Sequence, residues 1–285
     1  MTTPIIKVGF LVSYDYAYMK YALPPVYEQA DKIVIAVDID RQTWKGEKFD
    51  IPASFFEWIK AYDKDNKIEI YEDSFFVPEL NAFECDTRER NMLAKKMGDS
   101  GWHIQVDSDE YFLDFKILTR YLKALDTNKP VTIYAELITI FRQDSTGMFL
   151  IDSNEQFALA TNNPVYIAAR RTDDKMNTNV YTKFKLLHQS WGRSEAEMEQ
   201  KLKNWGHTSD FEIESYFSLW KAINKYTYKY LQNFHPLTPS IWKELEYFET
   251  NDIPTLLEKV KEAQMEKEEK EKKKSKFCFF RKKKG

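Results

Sequence analysis

Four short segments between the start of the chain and residue 110 have the pattern of β-strands, and helix-like stretches separate them. The strand-like segments are residues 5–12, 32–38, 67–71 and 102–107. The helix-like stretches are residues 18–30, 53–63 and 87–99. The first two strand-like segments are nearly continuous apolar runs, and the other two alternate apolar and polar residues. Strands that alternate with helices predict βαβ units, and therefore an α/β fold with a mostly parallel central sheet and helices on both faces.

After residue 110 the pattern changes to a helix-like stretch, several β-rich segments and then helices. The helix-like stretch is 113–126, the β-rich segments are 131–142, 148–151, 164–171 and 180–188, and the later helices are 194–204 and 210–233. Ser194 with Glu197 has the spacing of a helix N-terminus, and Ser240 predicts the start of a last helix. We expect an α/β domain at 1–190, a helical extension packed on it at 191–262 and a charged tail at 263–285.

The composition excludes several classes of protein. Glycine and proline together number 18 and aromatic residues make up 15%, which excludes a collagen and a wholly disordered chain. Two cysteines cannot form a disulfide scaffold. No run of about 18 apolar residues predicts a membrane span, and the first residues do not resemble a secretory signal. These observations predict a cytoplasmic protein.

The positive charge is concentrated at the end of the chain. Residues 272–285 contain eight Lys or Arg and no acid, and since the chain carries −3, the part of the chain before residue 272 carries −11. An acidic body argues against nucleic acid as a partner. The tail also contains Phe277, Phe279 and Phe280, so it predicts a peripheral contact with an anionic membrane, at its cytoplasmic face. A disordered solubilising end or a nucleic-acid arm are the alternatives.

The segment Asp107-Ser108-Asp109-Glu110 is the candidate for chemistry. Two carboxylates two positions apart follow a strand expected to be buried, and ligands of open α/β sheets bind beyond the carboxyl ends of the strands. A hard divalent cation takes one or two carboxylates together with substrate phosphates. Tyr111 and Phe112 are incompatible with a helix–loop–helix calcium site. The other interpretation is that these acids cap the following helix.

Three runs of residues resemble the central block of GT-A glycosyltransferases, particularly those of family 2. They are Arg90-Asn91-Met92-Leu93-Ala94, Gly98-Asp99 and Trp102-His103-Ile104-Gln105-Val106-Asp107-Ser108-Asp109-Glu110. The resemblance covers roughly residues 5–190. It implies a Rossmann-like GT-A fold, a helical C-terminal region and a nucleotide-sugar-binding and catalytic domain at 1–190.

The resemblance also implies roles for particular residues. It implies Mn²⁺ or Mg²⁺ bound by Asp107, Asp109 and His188. It implies donor binding by Asp38, Asp40, Asp73 (or Glu72), Arg90, Asp107, Trp191 and Arg193. It implies a general base downstream, for which Asp210, Glu136 and Glu155 are the candidates. More ordinary interpretations exist for several of them: Arg90 as a surface arginine, His188 as a core histidine, Trp191 as a packing residue, Arg193 paired with Glu197, and Asp210 as a helix cap.

The expected activity is transfer of a sugar from a nucleotide sugar, expected to be UDP-linked, to a hydroxyl group of a glycan or lipid-linked acceptor. Two alternatives remain. One is a nucleotidyltransferase, although the loop Ser13-Tyr14-Asp15-Tyr16 is not rich in glycine or basic residues as that class would favour. The other is a non-catalytic, membrane-associated binding protein with a degenerate transferase fold.

Overall fold

The computed structural model describes residues 3–125, 128–173, 175–204 and 212–282, and for 203–204, 271 and 274–282 only the backbone. The strands are β1 (Ile6–Val12), β2 (Lys32–Asp38), β3 (Ile68–Asp73), β4 (Trp102–Asp107), β5 (Glu110–Phe112), β6 (Val131–Asp144), β7 (Gly147–Thr161), β8 (Tyr166–Ala168), β9 (Arg171–Thr172), β10 (Thr178–His188) and β11 (Glu246–Phe248). The helices are α1 (Met19–Ala22), α2 (Pro24–Tyr27), α3 (Ala53–Tyr62), α4 (Ala82–Met97), α5 (Phe115–Ala124), α6 (Glu195–Asn204), α7 (Ile213–Ala222) and α8 (Ile253–Lys282). Short 3₁₀ turns occupy Tyr16–Tyr18, Tyr228–Tyr230 and Pro239–Ile241.

Nine of these strands form one central sheet. Its order is β3-β2-β1-β4-β7-β6-β10-β5, and β11 pairs with β7. The four strands β3, β2, β1 and β4 are parallel, whereas β7 joins β4 and β6 in antiparallel fashion and β10 runs parallel to β6. The predicted α/β class, with a large central sheet, flanking helices and a C-terminal helix, is confirmed.

The parallel strands end at the same edge of the sheet. Leu11 is paired with Asp107 across β1 and β4, and Asp38 is paired with Asp73 across β2 and β3. Helix α4 covers this part of the sheet closely, because a Cβ atom at Gly9 in β1 would meet the side chains of Leu93 and Met97 at 2.8 Å. The edge where these strands end is thus a natural place for a ligand site.

The predicted boundaries of two elements are wrong. Helix α4 begins at Ala82, before the expected residue 87, because Asn81 and Glu84 form a reciprocal capping box there. Strand β7 is much longer than the expected 148–151, since it pairs with β6 almost along its whole length despite the polar run at 152–156. Pairing with β6 stabilises this polar stretch as a strand, although it lacks the alternation of apolar and polar residues that predicts one.

The C-terminal region adds a second, aromatic core against the outer part of the sheet. Its buried members include Phe141 on β6 and the tryptophans Trp191, Trp220 and Trp242. This region contains α6, α7, 3₁₀ turns and β11, and the helix expected over 210–233 is only α7 within the described residues.

The two predicted helix starts have different outcomes. Ser194 and Glu197 form the predicted cap of α6, since the Glu197 amide donates to the Ser194 hydroxyl oxygen at 3.3 Å and the Ser194 amide donates to the Glu197 carboxylate at 2.9 Å. Ser240 does not cap a helix. It lies in a 3₁₀ turn, and the last helix, α8, begins at Ile253, after Asp252 accepts a hydrogen bond from the Thr255 amide. Among the described residues, no helix combines the length and the apolar character that a membrane span requires.

Candidate functional site

A cavity of about 280 Å³ opens at the carboxyl ends of the parallel strands. The residues that line it come from the end of β1, the loops after β1 and β2, helix α4, the turn after β4, the end of β10 and helix α6. They are Leu11, Val12, Ser13, Tyr14, Asp15, Asp38, Gln42, Thr43, Trp44, Phe49, Ala82, Phe83, Asp86, Glu89, Asp107, Asp109, His188 and Lys201. Acidic side chains dominate its polar lining, so their partners decide what the cavity can bind.

The turn after β4 brings Asp109 to the end of β10. The Ser108 amide donates to the Leu11 carbonyl oxygen at 3.0 Å, which continues the β1–β4 pairing by one residue. Strand β5 then starts at Glu110, which is paired with His188 on β10. Asp107 and Asp109 are thus close in the sequence, whereas His188 lies much later in the chain. The pairing of β5 with β10 places His188 beside Asp109.

Two arginines hold the carboxylate of Asp107. Nη2 of Arg90 lies 2.9 Å from Oδ1 of Asp107, and Nη2 of Arg170 lies 2.9 Å from Oδ2. Arg90 is 1% exposed and also bonds Asp86, one helical turn earlier, at 2.7 Å. Burial alone would raise the pKa of the Asp107 carboxyl, but Arg170 and Arg90 outweigh it and hold that pKa well below its ordinary value. Asp107 is therefore ionised.

Asp109 is 2% exposed and has two partners, Arg193 and His188. Its Oδ2 accepts a short hydrogen bond from Arg193, and its Oδ1 lies 3.5 Å from Nε2 of His188. Burial would raise the pKa of the Asp109 carboxyl, but His188 in its protonated form and the permanently charged Arg193 outweigh it and lower that pKa. The same guanidinium lies 3.3 Å from Asp15 and stacks over the ring of Tyr18, which fixes its position.

His188 is neutral at pH 7. Burial lowers the pKa of its imidazole to about 4, although the nearby Asp109 carboxylate opposes this. A neutral imidazole has a lone pair that can bind a metal ion.

Two of the three predicted metal ligands, Asp109 and His188, fit a cation. Two ligands that each lie about 2.1 Å from one ion are at most about 4 Å apart, and the observed 3.5 Å falls within that span. Asp107 borders the same cavity but has both oxygens paired with arginines. Within the described residues no three His, Cys, Asp or Glu side chains form a metal-binding group. The set therefore fits Mg²⁺ or Mn²⁺ only with further ligands from water and phosphate oxygens.

At the other end of the cavity, backbone amides rather than arginines hold Asp38, the acid at the end of β2. The carboxylate of Asp38 accepts hydrogen bonds from four backbone amides, those of Asp40, Gln42, Phe75 and Phe76. A carboxylate has about four lone-pair positions, so this acid is saturated and holds the loops after β2 and β3 in place.

Glu89 on α4 lies at this same end. It is 6% exposed and its Oε2 accepts a hydrogen bond from Nε1 of Trp44 at 2.6 Å. Burial raises the pKa of Glu89 to about 8, so this carboxyl is protonated at neutral pH. One wall of the cavity thus carries a neutral acid beside an indole ring.

Several residues predicted to bind the donor do not line the cavity. Asp40 and Glu72 are exposed, and Glu72 pairs with Arg41. Asp73 instead accepts a hydrogen bond from the Tyr71 hydroxyl at 2.6 Å. Arg90 lies behind Asp107 as a buried arginine rather than at the surface, so it reaches the cavity only through that carboxylate.

Trp191 and Arg193 also differ from expectation. Trp191 is 3% exposed and packs against Phe141 and Tyr216 in the second core, so its ring faces are covered and stacking on a sugar is excluded in this conformation. Arg193 pairs with Asp109 and Asp15 instead of Glu197.

The structure does not identify the base. Asp210 lies outside the described residues. Glu136 pairs with Lys185 on β10 at 3.2 Å, and Glu155 accepts a hydrogen bond from Nε1 of Trp242. Neither Glu136 nor Glu155 lines the cavity, since Glu136 lines a different groove and Glu155 contacts Trp242 of the second core.

Several side chains in or behind the cavity were given no role from the sequence: Asp15, Asp86, Glu89, Arg170 and Lys201. The spacing of Asp86 and Arg90, one helical turn apart, is a signal that could have revealed that pair. Arg170 carries no such signal. It lies between β8 and β9 with a φ of 51°, and it reaches Asp107 and Glu110 from a distant part of the chain.

The chain is also similar to solved structures. No protein-family model matches the sequence, and a comparison with curated proteins found no match. A crystal structure of residues 1–349 of TarS from S. aureus matches with a TM-score of 0.40 and 12% sequence identity, over 78% of this chain and 76% of that chain. A likeness at this level supports no statement about activity, so function has to be argued from the site.

Proposed function

We propose that this protein is a metal-dependent glycosyltransferase of GT-A type that moves a sugar from a UDP-sugar to a hydroxyl group of a glycan or lipid-linked acceptor. The observation that carries the proposal is the position of Asp107 and Asp109. They close β4 at the cavity where four parallel strands end, and His188 lies 3.5 Å from Asp109. Acids at this edge suit a ligand that brings its own phosphates and a cation.

In this proposal, each side chain has a distinct task. Asp109 and His188 would hold the Mn²⁺ or Mg²⁺ ion, which when bound neutralises charge on the departing diphosphate. Arg193 keeps the Asp109 carboxylate oriented and ionised through their direct hydrogen bond. Lys201 lines the same cavity and offers an ammonium group for a phosphate oxygen. Asp210 stays the proposed general base for the acceptor hydroxyl.

The acceptor and the location follow from the charged tail. We propose that residues 272–285 contact an anionic membrane at its cytoplasmic face, next to a lipid-linked acceptor. The support is that α8 is one helix from Ile253 to Lys282, and that its first turns pack on the main core through Leu256 and Val260. A helix anchored at one end can carry its basic end away from the body.

The test is metal-dependent turnover of UDP-sugars by the full chain and by Asp109→Asn. We expect turnover with Mn²⁺ or Mg²⁺, its loss with chelator, and a decrease of at least about a hundredfold in the variant, because the amide is a poorer ligand and carries no charge. Asp65→Asn, at an exposed acid far from the cavity, is the matched control and should keep full activity. Melting curves of both variants establish that they are folded.

Equal turnover by Asp109→Asn and wild type would reject the proposal, and so would the absence of metal-dependent turnover with every nucleotide sugar tested.

One observation favours a second candidate, a non-catalytic binding protein. Asp107 and Asp109 are already paired with arginines, and a cation has to compete with these partners. That candidate predicts nucleotide binding that raises the melting temperature equally with and without chelator, and no turnover.

A further inference from the structure

We propose that residues 215–243 form a second membrane-contacting surface, on the folded body itself, which binds anionic lipid headgroups. This surface, which we call the lysine–tyrosine face, is separate from residues 272–285. The proposal is independent of the activity proposed above, since it rests on side chains outside the cavity.

The first support is charge. Residues 215–243 contain four lysines, Lys221, Lys225, Lys229 and Lys243, and no Asp or Glu, although the chain as a whole carries −3. All four lysines are exposed. A long stretch without an acid, on an otherwise acidic protein, is complementary to a negatively charged surface, and each lysine near such a membrane contributes about 1 kcal/mol.

The second support is the exposure of apolar side chains in the same stretch. Tyr226 is 70% exposed and Tyr230 is 77% exposed, and Leu219 and Leu237 are exposed at 36% and 44%. Tyrosine has an apolar ring and a polar hydroxyl, which suits the boundary between headgroups and acyl chains. The leucines have no ring to stack on a nucleobase, so they favour a lipid surface over a nucleic acid.

The third support is that the two tyrosines are presented by an ordered turn. Ile223 is buried and its carbonyl oxygen accepts a hydrogen bond from Arg142 at 2.9 Å. The Asn224 side chain accepts from the Tyr226 amide, and the ring of Tyr228 packs inward on Phe149 and Tyr247.

The lysines stand beside the tyrosines that this turn exposes. Nζ of Lys225 lies 5.2 Å from the Tyr226 ring, and Nζ of Lys229 lies 5.3 Å from the Tyr230 ring. Each pair therefore offers one cation and one amphipathic ring to the same point of a surface. A lysine can place its ammonium group at the phosphate level while its stem and the adjacent ring contact the acyl boundary.

The test is co-sedimentation of the full chain with phosphatidylcholine vesicles that contain phosphatidylserine. We expect binding that disappears with pure phosphatidylcholine. Lys225→Glu/Lys229→Glu should lower the partition constant at least about thirtyfold, because two lysines are removed at about 1 kcal/mol each. Tyr226→Ser/Tyr230→Ser should lower it as well, with no change in charge. Both variants alter only exposed side chains, and melting curves report whether they are folded.

Three controls separate this surface from others. Lys60→Glu/Lys64→Glu changes two exposed lysines elsewhere and should bind like wild type. Tyr181→Ser removes another exposed tyrosine, at 62% exposure, and should also bind like wild type. A loss confined to Lys272→Glu/Lys273→Glu would assign binding to the tail alone and overturn the proposal. It would also be overturned by wild-type protein that ignores anionic vesicles, or that binds a single-stranded oligonucleotide instead through these same lysines.

Discussion

The two ends of the cavity carry buried acids in opposite protonation states. At one end Asp109 is buried and Asp107 is half-buried, and both are ionised because arginines contact them directly. At the other end Glu89 is nearly as buried as Asp109, has Trp44 as its partner and has a pKa raised to about 8. The comparison teaches that burial alone does not set the charge of an acid. Burial raises the pKa of an acid and a contacting guanidinium lowers it, so the balance between the two decides whether the acid is charged.

Two further acids, Glu110 and Asp38, have other kinds of partner. Glu110 shares the guanidinium of Arg170 with Asp107, and burial raises the pKa of Glu110 to about 7. One cation thus serves two carboxylates, and Glu110 is the one that can keep its proton. Among the described residues, the carboxylate of Asp38 has no cation as a hydrogen-bond partner, and four backbone amides satisfy its oxygens.

The largest effect on the free energy of unfolding is expected from removing a cation at the end of the cavity where arginines contact Asp107 and Asp109. Arg193→Gln leaves Asp109 buried without its charged partner, and breaking a buried pair in this way costs about 3–5 kcal/mol of unfolding free energy. Urea denaturation at pH 7 measures it. Arg41→Gln is the matched control, because the Arg41–Glu72 pair is partly exposed and should cost less than about 1 kcal/mol. Equal effects of the two substitutions would show that Asp109 needs no cation.

The second effect concerns pH and the other end of the cavity. The folded state raises the pKa of Glu89 from 4.5 to about 8, so between these values the folded protein keeps a proton that the unfolded chain has released. Stability therefore falls as pH rises from 4.5 to 8. Relative to Glu89→Gln, which cannot ionise, wild type should lose on the order of 4 kcal/mol over this range.

Denaturation of both proteins at several pH values provides the measurement, and the difference between them cancels other groups such as Glu110. A difference that is constant from pH 4.5 to 8 would mean that Glu89 is ionised in the folded protein. The contrast between the two ends of the cavity would then be lost.

The smallest effect is expected at Asp38 and tests whether its carboxylate organises the loops after β2 and β3. Asp38→Asn exchanges one acceptor oxygen for an amide donor that faces backbone N–H groups. The cost should be about 1–3 kcal/mol, because buried groups are left without a partner. Asp40→Asn, at the exposed neighbour, should change stability by less than about 0.5 kcal/mol. If urea denaturation gives the same loss of unfolding free energy for Asp38→Asn and Asp40→Asn, the Asp38 carboxylate does not organise the loops after β2 and β3.

Much of the parallel half of the sheet was predictable, because β1 and β2 are nearly continuous apolar runs and β4 alternates apolar and polar residues. The meeting of Asp38 and Asp107 at one edge follows from strand ends that align in a parallel sheet. The long hairpin strand β7 was not predictable from its own residues, since the polar run at 152–156 is stabilised by its pairing with β6.

The site divides in the same way. The family resemblance implied Asp107, Asp109 and His188 as one set of metal ligands, and the pairing of β5 with β10 brings the last two to 3.5 Å. Trp191 was predicted to meet a sugar, but the second core buries it. An aromatic residue next to a motif has the same local sequence whether it faces a ligand or a core, so only packing separates the two cases.

By itself, the sequence determined the alternation of strands and helices and the position of an acidic pair at the end of a buried strand. These depend on local periodicity, which neighbouring residues carry. Only the tertiary structure decided which acids hold a charge, because that depends on cations such as Arg170 and Arg193, which lie far along the chain from Asp107 and Asp109. Charge interactions act over a few ångströms of space, and sequence distance does not measure that space.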